Sequence, residues 1–204
     1  MLFEDTYLTI VQPCQGLYKD KGSKFLAFAF PVTSEEEIKK LLAGLRKEHF
    51  SARHHCYAFR LGADKQAFRA NDDGEPAYTA GKPILGQIQS KDLTNILIVV
   101  VRYFGGTLLG VSGLITAYRQ AAADALEHAV IIEKTVNDFY EITFDYLQMN
   151  EVMKIIKDEH LEQLNQNFEQ NCRLTFSVRK KNSNKVYELF SKISNLGVKY
   201  LYAA

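Results

Sequence analysis

An α+β fold in two domains is what the sequence predicts, and three observations carry that reading. An almost continuously apolar, β-branched run from Thr94 to Tyr103 ends at Gly105-Gly106 and leads into a helix-patterned stretch of small residues. Such a run marks a central strand buried on both faces. Upstream of it, period-2 alternation and helical periodicity take turns. Downstream, strand, helix, strand, strand, helix and strand follow one another between residues 135 and 204, the βαββαβ order of a ferredoxin-like domain.

The elements justify this in order. Tyr7 to Val11 alternates as a strand, a turn is expected near Gly16, and Lys24 to Val32 is an aromatic-rich strand. Ser34 and Glu37 stand in capping-box spacing with Glu35 and Glu36 in the first turn, and Ile38, Leu41, Leu42 and Leu45 supply an apolar helix face. His55 to Leu61 and Gln66 to Arg69 read as a hairpin turning at Gly62-Ala63-Asp64. Asn71-Asp72-Asp73-Gly74 breaks regularity, and a short helix is expected from Ile84 to Gln89. A helix from about Val111 to Ala129 repeats Leu114, Tyr118, Ala121, Ala125 and Ala129, whose small side chains let it approach a sheet closely.

The polar stretch Glu133 to Asp138 reads as a linker, which divides the chain into domains 1–134 and 135–204. In the second domain, strands are expected at Tyr140–Tyr146, Leu161–Phe168, Cys172–Arg179 and Val198–Tyr202, with helices at Asn150–Glu159 and Asn184–Asn195.

Composition narrows the function classes. The 204 residues are 47% hydrophobic, enough for packed cores. With 25 basic against 24 acidic residues, nucleic-acid binding requires a local patch rather than a global field. Three scattered cysteines, Cys14, Cys56 and Cys172, without a CxxC pair point to a reduced, cytoplasmic setting and away from a disulfide scaffold or zinc site. The N-terminal stretch has no basic-then-apolar signal pattern, and the longest apolar run is too short to span a bilayer, so no membrane association is expected.

The residues able to carry chemistry crowd between Arg53 and Gly113. Arg53-His54-His55, Asp72-Asp73-Gly74-Glu75-Pro76 and Arg102-Tyr103-Phe104-Gly105-Gly106-Thr107 each lie at the edge of an apolar strand. A strand that exits through glycines into a helix presents backbone N–H groups to anions. Arg53, His54, Lys82 and Arg102 add positive charge, and Tyr103 and Phe104 offer stacking surfaces for bases. The candidate anion- or RNA-facing set is therefore Arg53, His54, Lys82, Arg102, Tyr103, Phe104, Gly105, Gly106 and Thr107. The same glycines also read simply as turn formers, and the run is neither a Walker loop nor a GxGxxG.

Asp72, Asp73 and Glu75 are an alternative acid/base or metal set, with His54, for a hydrolase; their plainer reading is a solvated turn. On a strand His54 and His55 face opposite ways, which argues against a joint metal site. Cys56 shares a face with His54, but a small buried thiol outweighs a nucleophile there. His49, His128 and His160 read as ordinary surface or helix positions. No metal, cofactor or catalytic residue is assigned.

Four separated motifs then read together: Lys21-Gly22-Ser23-Lys24-Phe25, Ala52 to Ala58, Asn71 to Pro76, and Val101 to Gly106, extended by Leu109-Gly110, Gly113-Leu114 and Ala117-Tyr118. In this order they resemble the IMPACT family and its bacterial members, over roughly residues 15 to 130. The resemblance implies a ribosomal-protein-like β-α fold for the first domain and a ferredoxin-like second domain. It also implies a role in regulating translation, with the ribosome, RNA or a protein partner in translation as the binding partner. The eukaryotic relatives act partly through a separate N-terminal partner-binding domain, so their partner mechanism is not expected here. A protein-binding module using the sheet of the second domain is a further expectation.

Overall fold

The computed structural model describes residues 5–168 and 171–203. It is a mixed α+β structure whose contacts divide it into two units, Tyr7–Lys134 and the remainder from Thr135 onward together with the segment before Tyr7.

In the first unit, strands β1 (Thr6–Ile10), β2 (Cys14–Asp20) and β3 (Ser23–Pro31) precede helix α1 (Glu35–Glu48). The hairpin β4 (His54–Leu61) and β5 (Ala67–Asn71) leads to α2 (Gly81–Ser90), β6 (Ile96–Tyr103), α3 (Gly110–Glu127) and β7 (Ile131–Thr135). The main sheet has the order β2-β3-β6-β4-β5, antiparallel throughout, and β1 pairs with β7 separately.

Alternation along β6 explains the layering. Ile96, Ile98 and Val100 pack with α2 and α3, whereas Leu97, Val99 and Val101 pack with α1. The central strand is thus buried on both faces, as its unbroken apolar run requires. Ser34 caps α1 as expected, its Oγ accepting from Glu37 N at 3.3 Å, but the Glu37 carboxylate accepts from Thr33 N at 2.7 Å, one residue before the Ser34 N that a capping box uses.

Gly16 departs from expectation. It lies inside β2 rather than at a turn, because α3 crosses there so closely that a Cβ would sit 2.3 Å from the Ala125 nitrogen. The tight turn falls instead at Lys21-Gly22, both at positive φ.

The second unit runs β8 (Asn137–Asp145), α4 (Met149–Asp158), β9 (Glu162–Phe168), β10 (Asn171–Arg179), α5 (Ser183–Ser191) and β11 (Gly197–Ala203). Its sheet has the order β11-β8-β10-β9, all antiparallel. Ile142, Phe144, Leu174 and Phe176 meet Val152, Ile156, Val186 and Phe190 in one core. The expected linker is strand instead: β7 ends at Thr135 and β8 begins at Asn137. Polar side chains there accompany ordinary ladder pairing, Asn137 opposite Arg179 and Asp138 opposite Val178. Asp5 joins this unit through Arg179, whose Nε and Nη2 donate to its carboxylate at 2.6 and 3.1 Å and hold it below the ordinary carboxylate range. Among the described residues no helix is long and apolar enough to cross a membrane.

Candidate functional site

Four connections meet at one end of the five-stranded sheet: the β2–β3 turn, the α1–β4 loop, the β5–α2 loop and the β6–α3 loop. The register brings them there, because Lys24 pairs with Tyr103, Arg102 with His54, and Tyr57 with Asn71. At this end the α1–β4 and β6–α3 loops, with the adjoining ends of β4 and β6, enclose a cleft of about 620 Å³ lined by Ser51, Arg53, His54, Arg102, Tyr103, Phe104 and Leu108. Five of the sequence-predicted residues therefore share one wall system: Arg53, His54, Arg102, Tyr103 and Phe104.

Each of them plays a different part. Arg53 is exposed. His54 is half-buried, and its Nδ1 lies 2.9 Å from the carbonyl oxygen of Asp73. A carbonyl only accepts, so Nδ1 carries the proton, and in the neutral ring Nε2 is left as an acceptor. Phe104 and Leu108 are 56% and 82% exposed. Tyr103 points to the opposite sheet face, where its hydroxyl meets His49 Nδ1 at 2.9 Å. It is a structural tie to α1 rather than a free stacking ring. Arg102 is buried, and its Nη1 donates to Glu75 Oε1 at 2.6 Å.

Lys82 and the glycine turn stand apart from the cleft lining. Lys82 is exposed at the start of α2 with its ammonium 3.9 Å over the Tyr78 ring. Gly105 abuts the β2–β3 turn, where a Cβ would lie 1.9 Å from the Gly22 carbonyl carbon, and its N–H donates to Ser23 Oγ at 3.1 Å. Gly106, at φ +90°, and Thr107 are exposed. The glycines are needed for close approach and turning, the plainer of the two sequence readings.

The three carboxylates are engaged within the protein. Asp72 accepts from the backbone N–H groups of Tyr78, Ala80 and Gly81 at 2.8 to 3.0 Å, so it caps the start of α2. Asp73 accepts from His55 N at 2.7 Å and from Arg46 Nη2 at 2.8 Å. Glu75 Oε1 accepts from both Arg102 and the Tyr118 hydroxyl, the latter at 2.7 Å. This differs from the expectation of carboxylates open to a substrate or cation. Among the described residues no group of three or more His, Cys, Asp or Glu is placed to hold a metal ion.

Cys56 is fully buried, its thiol 3.0 Å from the Asp72 carbonyl oxygen and 3.3 Å from the Tyr118 hydroxyl. Burial pushes both the thiol and the Tyr118 phenol far above their ordinary ranges, so neither ionises. Sequence reasoning missed His49, Tyr118 and Arg46 as parts of this region. The spacing of Tyr118 on the α3 face signalled burial, but nothing local signalled its bond to Glu75.

What fold and site define together is a class: a two-unit α+β protein with a cationic and aromatic cleft at one end of an antiparallel sheet. The particular family follows from comparison. Residues 21–126 match the Impact N-terminal domain family, and the chain belongs to the IMPACT family. It is 36% identical over 176 residues to an IMPACT family member of Haemophilus influenzae, covering 84% of this chain and 82% of that protein. To the IMPACT family member YigZ of Escherichia coli it is 36% identical over 154 residues, 74% of this chain and 76% of that one. Protein IMPACT of Rattus norvegicus is 41% identical over 96 residues, which cover 45% of this chain and 30% of the rat protein. Across both units the fold is similar to a crystal structure described only as that of a hypothetical protein, with a TM-score of 0.75, 29% identity, and 98% and 99% of the two chains covered.

Proposed function

We propose that this protein is a non-enzymatic, RNA- or ribosome-associated regulator of translation acting in the cytoplasm. In this reading residues 1–134 form a ribosomal-protein-like domain that binds single-stranded RNA. Residues 135–204 form a ferredoxin-like domain, a view that the βαββαβ order and the β11-β8-β10-β9 sheet support.

One observation carries the RNA reading. The cleft sets an exposed cation, Arg53, and an acceptor nitrogen, His54 Nε2, beside a half-open aromatic ring, Phe104. The nearby carboxylates of Asp72, Asp73 and Glu75 are already bonded. Positive charge and a π-face together are what single strands require. Arg53 meets a phosphate, Phe104 meets a base, and the His54 acceptor suits a 2′-hydroxyl, the group that distinguishes RNA from DNA. Lys82 and Thr107, exposed but outside the cleft lining, are the further polar candidates of this reading.

The test is fluorescence anisotropy with labelled single-stranded RNA across a salt series. Arg53→Ala is expected to weaken binding and to lower the slope of log affinity against log salt by about 0.7, the value for one single-strand phosphate. Binding that is independent of both Arg53 and salt sinks the placement.

A further inference from the structure

Arg102 is placed to do something other than meet a phosphate. It is 93% buried, with 7% of its side chain exposed, and its charge is paired with Glu75 at 2.6 Å. The guanidinium carbon lies 5.5 Å from the centroid of Phe25 and 5.6 Å from that of Phe104. Phe25 has no solvent exposure and packs edge-on to Tyr118 at 5.1 Å. The Tyr118 hydroxyl in turn donates to the same Glu75 oxygen that Arg102 holds. Core, guanidinium and Phe104 thus form one column, in which Arg102 and Phe104 both line the cleft and Phe104 is the exposed member, 56% open.

We propose that Arg102 is a positioning residue that props the Phe104 ring, and that this ring takes an unpaired base of single-stranded RNA. The inference rests on the RNA reading above and deepens it: the cleft recognises a base more than backbone charge. The Phe104 ring is 56% exposed, and an exposed ring would otherwise lose side-chain freedom on binding. A planar cation beneath one side fixes the ring beforehand, which strengthens binding without a new ligand contact. Stacking on an aromatic ring accepts any base with a free π-face but rejects a base paired inside a duplex.

The experiment compares a labelled oligouridylate with an abasic strand of the same length and backbone. Wild-type protein is expected to bind the abasic strand about tenfold more weakly, the loss typical of one stacked base. Phe104→Ala loses that discrimination and Phe104→Trp restores it. The Arg102→Met/Glu75→Gln double variant loses it as well while keeping the wild-type salt slope, whereas Arg53→Ala lowers the slope and keeps the discrimination. Circular dichroism and thermal unfolding establish that each variant is folded; where the double variant unfolds, Arg102→Lys, which keeps the charge but loses the planar guanidinium, takes its place with the same expected outcome. Equal binding of the two strands leaves the RNA reading standing and overturns base recognition. A lowered slope in the double variant makes Arg102 a phosphate contact and overturns its role as a prop. Binding of neither strand overturns both readings together.

Discussion

Glu75 accepts two hydrogen bonds on one oxygen from groups that are themselves almost sealed from solvent. Removing it leaves a buried guanidinium without its counter-charge, a change that costs about 3–5 kcal/mol. Glu75→Ala is therefore expected to lower unfolding free energy by that amount in a denaturant titration, with Glu75→Gln milder because its amide oxygen still serves Tyr118. His55 makes a second prediction. It is 5% exposed, faces Arg46, Asp73 and His49, and lies beside the Leu45 backbone carbonyl. Burial first and Arg46 second hold its pKa below the ordinary value of 6.5, against the opposing pull of Asp73. The unfolded chain then takes up a proton before the folded one does, so stability falls as pH drops below 6.5 toward the lower folded value. Urea midpoints at pH 7 and pH 5.5 check this, and His55→Gln should flatten the difference.

At the scale of elements, α2 depends on a residue far from its own first turn. Ala80 at its start offers no side-chain cap, and Asp72 supplies the carboxylate for Ala80 and Gly81 instead. Asp72→Ala is expected to cost about 2 kcal/mol, the upper range for a capping residue, with loss concentrated in α2 amide protection by hydrogen exchange. This contrast shows what the sequence can and cannot disclose. The cap of α1 was legible because Ser34 and Glu37 stand three residues apart in the chain and act locally. The cap of α2 was not, because folding of the β5–α2 loop brings Asp72 back to it. The strands and helices were legible wherever apolar periodicity was strong, as in β6, α3 and β10. They were obscure at β7 and the start of β8, where backbone pairing rather than side-chain burial defines the strand. At the site, the sequence displayed which residues gather but not their charge pairing: Arg102 and Glu75 are joined only through β6 and the β5–α2 loop.

For the molecule as a whole, each unit encloses its own core: α1, α2 and α3 against the five-stranded sheet in one, α4 and α5 against the four-stranded sheet in the other. A fragment spanning residues 7–134 is expected to unfold as a single cooperative transition in calorimetry and to retain the RNA affinity of the full chain; a fragment without a transition would make the second unit a requirement for folding. The near-zero net charge of the chain conceals a local imbalance, since Arg53 and Lys82 remain exposed near a sheet end where Arg46 and Arg102 offset Asp73 and Glu75.

Gly22 and Gly105 touch backbone to backbone, and a Cβ on either would collide with the other, at 2.8 Å from Gly105 O in one case and 1.9 Å from Gly22 C in the other. The two turns are therefore a single mechanical joint. Phe104, next to Gly105, is thereby tied to the β2–β3 turn outside the core. The same joint bars a side chain from either position, since each would strike the other turn's backbone, and lengthening one turn demands that the other give way.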